Sequence, residues 1–345
     1  MSLPEQFVEP DQLQSSREIN GQRLAAAHAQ HELVTHGMPS HIWVEPTNAC
    51  NARCPLCPTG NGESERAKAL LSPEVFRSVV DEVYPYTKSM NLWNIGEPFL
   101  NPHLFDMIRY AEDHDIATRV STNGFVFYRE ENVERLIDSG LTNLVVSLDG
   151  TSADVFNIYR VNVDFEKIMN GLRLLQQAKI DRGATYPTAV WQFIAMSHNV
   201  HQIPEAKQLA DELGMVFSLK TVNLDMVGER RENASFLPEQ ESLRRYELQD
   251  NKWKLRVDRD NDCSVLWRSI MVNADGTVVP CCYDFSSDLV VGHFPEQSIR
   301  EIWDGEAMQR LRHTIVTDRM SLKPCSTCSV GARTAIFLDE GMVDV

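Results

Sequence analysis

Short apolar runs alternate along this chain with stretches in which apolar residues recur every three or four positions. Runs at residues 42–45, 90–95, 117–121, 144–148, 189–195 and 216–220 have the length of buried strands. Helices are expected between them. Ser72-Pro73-Glu74 starts one, with proline in its first turn, and Phe76, Val79, Val80 and Val83 follow at helical spacing. Asn101-Pro102 starts the next in the same way. Asp164 caps a helix that carries Phe165, Ile168, Met169, Leu172 and Leu175, and Gly140 and Gly214 stand where helix C-terminal glycines belong. Six such strand–helix units over residues 41–225 predict an α/β domain, a parallel sheet with helices outside. Periodicity does not separate an open doubly wound sheet from a barrel. In either arrangement ligands bind at the C-terminal ends of the strands.

The flanks read differently. Residues 1–40 form an extension with a helix over residues 13–34, stopped by Gly37 and Pro39. Residues 226–262 are polar and broken, and read as a linker. Residues 263–345 form a small α+β domain. Its strands at 270–273 and 277–279 flank Ala274-Asp275-Gly276 as a β-hairpin, and Ser298-x-x-Glu301 is a capping box for a helix running to Arg312.

Composition narrows the function. The chain has 345 residues, with 33 Lys and Arg against 49 Asp and Glu, a formal net charge of −16. Such a surface repels phosphate backbones, so general nucleic-acid binding is not expected. No run of 18 apolar residues exists to span a membrane, and the polar N-terminus lacks the pattern of a secretory signal. A cytoplasmic location is expected. There are eight cysteines, and none falls between Cys57 and Cys263. In a reducing compartment that clustering points to metal or redox chemistry rather than disulfides.

The first cluster lies directly after the first strand, in Glu45-Pro-Thr-Asn-Ala-Cys50-Asn-Ala-Arg-Cys54-Pro-Leu-Cys57-Pro58. Three thiolates spaced C-x3-C-x2-C can hold three irons of a [4Fe–4S] cube and leave the fourth iron open to an outside ligand. A zinc site completed by His36 or His41 is the alternative. In this segment the chain resembles the radical S-adenosylmethionine (SAM) superfamily, over roughly residues 40–345. The resemblance implies a partial (β/α)6 TIM-like barrel. It also implies a reductant such as flavodoxin or ferredoxin, and cleavage of SAM to methionine and a 5′-deoxyadenosyl radical.

Further motifs follow at successive strand ends. Asn94-Ile95-Gly96-Glu97-Pro98 resembles the family's GGEP segment, with Ile95 where the first glycine is usual. Ser121-Thr-Asn123-Gly124 resembles its STNG segment, and Ser147-Leu-Asp149-Gly150 with Arg160 resembles its SLDG…R pattern. The resemblance makes Gly96, Glu97, Ser121, Asn123, Ser147 and Arg160 SAM contacts, Arg160 by gripping a carboxylate.

The second cluster comprises Cys263, Cys281, Cys282, Cys325 and Cys328. Gly276-x4-Cys281 and Cys325-x2-Cys328 resemble the SPASM and twitch domains, which bind auxiliary iron–sulfur clusters. The resemblance assigns Cys263, Cys281, Cys325 and Cys328 to one auxiliary [4Fe–4S] cluster of the twitch kind. Cys282 is left over, as an alternative ligand or a hydrogen donor. A four-cysteine zinc site is the alternative for the whole cluster. The expected reaction is hydrogen abstraction from a small polar metabolite of sugar, aminocyclitol or nucleoside type. It is read as an oxidation in which the auxiliary cluster accepts an electron. The alternatives are epimerisation or decarboxylation, maturation of a peptide, and a non-enzymatic metal-binding scaffold. His198, His201 and Lys220 fall near late strand ends and read as solvated loop residues, with proton acceptance as the alternative.

Overall fold

The computed structural model describes residues 10–224, 231–256 and 260–328. The outer ends of the expected extension and small domain, and parts of the expected linker, lie outside the described residues. Helix α1 (Pro10–Ala29) comes first. Strands β1 (His41–Val44), β2 (Ser89–Asn91), β3 (Ala117–Thr122), β4 (Asn143–Ser147), β5 (Thr188–Ala195) and β6 (Val216–Thr221) then alternate with helices. These helices are α2 (Pro73–Val83), α3 (Leu104–Asp113), α4 (Glu130–Asp138), α5 (Ala153–Tyr159), α6 (Phe165–Arg182) and α7 (Ile203–Glu212). An antiparallel pair, β7 (Tyr246–Gln249) and β8 (Lys252–Leu255), lies within the stretch expected to be a linker. The C-terminal part holds β9 (Ser269–Val272), β10 (Thr277–Val279), β11 (Gly292–His293), α8 (Ile299–Trp303), α9 (Glu306–Asp318) and α10 (Lys323–Thr327).

Among the described residues β1 to β6 run parallel in sequence order, as a partial barrel. The expected hairpin does not stand apart from it. β9 adds parallel to the free side of β1, and β10 and β11 follow antiparallel, so one nine-stranded sheet carries both parts. Gly276 makes this turn possible. It has φ +84°, and a Cβ there would stand 2.3 Å from the Phe294 carbonyl.

Side chains alternate across the sheet. Ile42, Val44, Met90, Val120, Leu144 and Val146 face the helices and are fully buried, as are Phe76, Val79, Val80 and Val83 of α2. Ser72 caps α2 as expected, accepting from Val75 N at 3.2 Å. Asp164 caps α6, accepting from Lys167 N at 3.1 Å. α3 begins at Leu104 rather than at Pro102, after a turn in which the Asn101 side-chain oxygen accepts from His103 N at 3.0 Å. The Asn101 side-chain amide donates to the Pro46 and Leu71 carbonyls at 2.9 and 3.0 Å, holding the loop after β1. The helix expected to run from Ser298 to Arg312 breaks at Gly305, where a Cβ would meet the Glu301 carbonyl at 2.5 Å.

On the opposite face, Trp43, Asn91, Arg119 and Asn143 stand side by side in register and point into the barrel. Helix α1 crosses the N-terminal ends of the strands. Arg17 pairs with Asp115 at 2.7 Å and donates to the Tyr84 carbonyl at 2.9 Å. The Asn20 side chain both donates to and accepts from Met38 at 2.8 Å. The extension is therefore built into the barrel floor.

One buried ion pair joins the two parts. Arg66 grips both oxygens of Glu45, at 2.6 and 3.2 Å, and Glu45 also accepts from Ala274 N in the hairpin turn at 3.2 Å. The Glu45 side chain is 0% exposed and that of Arg66 6%. Removing one partner strands the other's charge. Glu45→Ala is expected to lower stability in urea unfolding by about 3–5 kcal/mol. A loss below about 1 kcal/mol would show that the pair does not secure the hairpin.

Candidate functional site

Because β1 to β4 are parallel, the loops that leave them emerge at one end of the barrel. The loop after β1 carries Cys50, Cys54 and Cys57, and its entry is pinned by hydrogen bonds. Thr47 donates to the Ala69 carbonyl at 2.7 Å and Asn48 to the Ala67 carbonyl at 2.7 Å. The far side of the loop is braced by the chain after Arg160. Arg53 N donates to the Val161 carbonyl at 2.8 Å, and Asn162 to the Asn51 carbonyl at 2.7 Å.

A cavity of about 400 Å³ opens at these strand ends. It brings together the three thiols and all six residues expected to contact SAM: Gly96, Glu97, Ser121, Asn123, Ser147 and Arg160. Trp43 and Trp93, edge to face at 4.8 Å, form an aromatic part of its wall. The thiols are electrostatic neighbours of one another. Burial, reinforced by Glu97 and the two other thiols, pushes Cys50 up to about 12. Burial also raises Cys54, against the pull of Arg160. Buried thiols of this kind become thiolates only when a cation takes the proton's place.

β2 ends at Asn91, earlier than the apolar run suggests. The chain then turns into the site, with Leu92 N still bonded to the Arg119 carbonyl at 2.8 Å. Gly96 passes directly beneath the cysteine loop. A Cβ at Gly96 would stand 2.0 Å from the Thr47 carbonyl oxygen, and Glu97 N donates to the Ala49 carbonyl at 2.8 Å.

Glu97 is fully buried and both of its oxygens are engaged. Oε1 accepts from the Thr122 hydroxyl at 2.7 Å and from Phe99 N at 3.2 Å, while Oε2 accepts from Asn123 N at 2.7 Å. Burial raises its pKa and these hydrogen bonds oppose the rise. Glu97 thus fastens the turn after β2 to the turn after β3. An amide cannot satisfy donors on both sides. Glu97→Gln should therefore cost about 1–3 kcal/mol in urea unfolding, and no measurable loss would refute the clamp.

Arg160 has two partners within the chain. Its Nε donates to buried Asp149 at 2.6 Å, and its Nη1 lies 3.7 Å from Cys54 Sγ. Burial works against its charge, but Asp149 and Cys54 outweigh it and hold the pKa above the usual value. Asp149 is fixed in turn by Ile194 N at 2.7 Å. The sequence reading quoted Asp149 only as part of a motif and gave it no role. Its place two residues beyond the end of β4, at the mouth of the barrel, would have been the signal. It also missed Asn51, whose side chain accepts from Asn123 Nδ2 at 2.8 Å.

The second group of thiols lines a different cavity of about 740 Å³, toward the N-terminal ends of the strands. Cys263, Cys281, Cys282, Cys325 and Cys328 all reach it. Burial raises Cys281 well above the ordinary thiol value, with Cys282, Cys328 and Cys263 adding to the rise. Cys325 is pushed up to about 12 by burial, then by Cys263 and Cys328. Cys282 lines both cavities, together with Trp43, Arg119, Lys220 and Tyr283. Lys220 is thus a wall residue of the barrel interior and not a solvated loop residue, whereas His198 and His201 line neither cavity.

Among the described residues no three His, Cys, Asp or Glu side chains converge closely enough for a single metal ion. A zinc ion needs its sulfurs about 2.3 Å from one point. A four-iron cube is bound by thiolates spread around its corners. Three neighbouring thiols on a shared wall, beside open volume, suit the larger unit.

Comparison with known proteins agrees with this geometry. Residues 44–201 match the Radical SAM superfamily, and residues 263–329 match the SPASM iron–sulfur cluster-binding domain. An AdoMet-dependent heme synthase of Methanosarcina barkeri is 30% identical over 179 residues, 52% of this chain and 49% of that protein. The chain thus spans about half the length of that curated relative. A PqqA peptide cyclase of Rhodopseudomonas palustris is 25% identical over 323 residues, 86% of this chain and 80% of that protein. The crystal structure of Streptococcus suis SuiB bound to S-adenosylmethionine shares the fold. Its TM-score is 0.64 at 14% identity, over 90% of this chain and 76% of that one. Among the described residues no helix is long and apolar enough to cross a membrane.

Proposed function

Since the chain belongs to the radical SAM superfamily and carries a SPASM-type iron–sulfur domain, we propose that it is a peptide-modifying member that forms a new bond within its substrate. One observation carries this reading over the small-metabolite oxidation expected from the sequence. A peptide cyclase aligns across 86% of this chain and 80% of its own length. The enzyme uses SAM and a [4Fe–4S] cluster, with auxiliary iron–sulfur in the SPASM region, and it requires a reductant.

In this reading Cys50, Cys54 and Cys57 hold the SAM-binding cluster, and Cys263, Cys281, Cys325 and Cys328 hold an auxiliary one. Bound there, cluster and SAM together supply a 5′-deoxyadenosyl radical that removes a hydrogen atom from substrate. The chain's own residues arrange that event. Arg160, held by Asp149, sets positive charge against the Cys54 thiolate. Ser121, Asn123 and Ser147 offer hydroxyl and amide groups to SAM from the ends of two consecutive strands, β3 and β4. Gly96 leaves room for the chain after β2 to pass directly beneath the loop that carries the three cysteines. Glu97 keeps the turns after β2 and β3 in fixed relation, and the tryptophan pair walls off water.

The test is anaerobic reconstitution followed by reaction with SAM, dithionite and candidate substrates. We expect a peptide encoded beside the gene to stimulate 5′-deoxyadenosine formation and to lose the mass of two hydrogens. Stimulation by sugars or aminocyclitols, with the peptide unchanged, would overturn the peptide reading in favour of metabolite oxidation.

A further inference from the structure

We propose that Tyr159 is a binding residue of the upper cavity, its hydroxyl donating a hydrogen bond to the carboxylate of SAM. This contact is made to SAM and not to the substrate, so it stands apart from the peptide reading above.

Tyr159 is 7% exposed and lines the upper cavity. Buried polar groups are as a rule hydrogen-bonded, and each exception needs a cause. Its neighbours in the cavity wall obey the rule. Glu97 accepts from Thr122, Phe99 and Asn123, Asn123 donates to Asn51, and Arg160 donates to Asp149. The Tyr159 hydroxyl, by contrast, has no hydrogen-bond partner among the described residues. Nor is it one of the unpaired polar atoms sealed inside the protein. Its open side is the cavity, and a ligand there would supply the missing acceptor.

The ring is held in place. α5 ends at Tyr159, and Arg160 N closes the last turn on the Phe156 carbonyl at 2.9 Å. Phe236 packs edge-on against the ring with centroids 5.7 Å apart, and the Arg160 guanidinium lies 5.3 Å from its centre. A phenol fixed on two sides presents its hydroxyl at little cost in entropy when a ligand binds.

The position selects the ligand. The residues that follow Tyr159 brace the loop of the three cysteines. Arg160 Nη1 lies 3.7 Å from Cys54 Sγ, the Val161 carbonyl accepts from Arg53 N at 2.8 Å, and Asn162 donates to the Asn51 carbonyl at 2.7 Å. SAM is expected at the cluster on those thiols, which places its amino-acid part on this side of the cavity. Two of the Arg160 nitrogens, Nε and Nη1, are turned to Asp149 and Cys54. A neutral phenol on the adjacent residue adds a donor without adding charge, and a hydrogen bond to an anionic oxygen is a strong one. Burial raises the pKa of the phenol, and Arg160 opposes the rise, so the group keeps the proton it donates.

The experiment measures binding of SAM and of decarboxylated SAM to reconstituted, oxidised holoenzyme by anaerobic equilibrium dialysis, where no turnover occurs. Tyr159→Phe removes one oxygen and keeps the ring. It should weaken SAM about tenfold and leave decarboxylated SAM within about twofold of its wild-type affinity. Because the hydroxyl has no partner inside the chain, the same variant should unfold in urea at the wild-type midpoint or above it. A residue that merely supports the fold would lower that midpoint and weaken both ligands alike. Unchanged SAM affinity, equal weakening of the two ligands, or a lower urea midpoint overturns the contact.

Discussion

Cys54→Ser is expected to abolish formation of 5′-deoxyadenosine. The loss should exceed about a hundredfold, the upper end of what removing a mere outer-shell partner of a metal ligand costs. Cys54 is the most enclosed of the three thiols, at 5% exposure. It also carries the Arg160 contact and lies between its two partners in sequence. Serine keeps the shape and removes the soft ligand, so an effect on folding is separated from one on iron. Cys328→Ser makes the contrast. That thiol lines the lower cavity and not the upper one. It should lower bound iron by about four per chain while SAM is still cleaved. Liquid chromatography of the nucleoside, with iron counting, reads both results. Substantial 5′-deoxyadenosine from Cys54→Ser would mean that the first thiol group does not support the chemistry.

Gly96→Ala is expected to be nearly as damaging, although alanine is small and position 96 is no ligand. The added methyl would meet the Thr47 carbonyl oxygen at 2.0 Å, its carbon at 2.8 Å and the Ala49 carbonyl at 2.9 Å. These are backbone atoms and cannot rotate aside. Overpacking of this kind costs about 1–3 kcal/mol in stability. Relief requires moving residues 47–49, which lead directly into Cys50. A shift of about 1 Å at a reacting centre costs on the order of a hundredfold in rate. We therefore expect 5′-deoxyadenosine formation to fall by about that factor while the protein still folds. Gly21 in α1, with open space around it, is the control, because Gly21→Ala adds a methyl without a clash. If Gly96→Ala retains full activity, the close approach of the two loops is not needed for cofactor placement.

Much of this was visible in the sequence, and the limits have physical causes. The six barrel strands were legible because each is an apolar run bounded by polar turns, and their observed limits fall within a few residues of the runs. β2 was drawn too long. Leu92 and Trp93 are apolar because they line packed or aromatic surfaces of the site, not because they continue the ladder. The β7 and β8 pair was missed because Glu247, Gln249, Lys252 and Lys254 give it the polarity of a linker. The site motifs were legible as residue types at strand ends. Their partners were not. Asp149 holding Arg160, and Glu97 holding Thr122 and Asn123, depend on which side chains the turns bring face to face. Lys220 was placed in solvent because the sequence does not reveal which face of β6 looks into the barrel. Continuity of the sheet from β1 into β9 was equally hidden, since strand pairing over more than two hundred positions leaves no local trace.

The proposed chemistry needs a four-iron cluster with three protein thiolates and one corner left for SAM. Electron–nuclear double resonance on the dithionite-reduced protein, with SAM labelled at its amino nitrogen and carboxylate, tests this directly. Hyperfine coupling between label and cluster, present in Cys328→Ser and absent in Cys54→Ser, is the predicted result. A cluster whose spectrum ignores SAM, or zinc in place of iron at Cys50, Cys54 and Cys57, would contradict it.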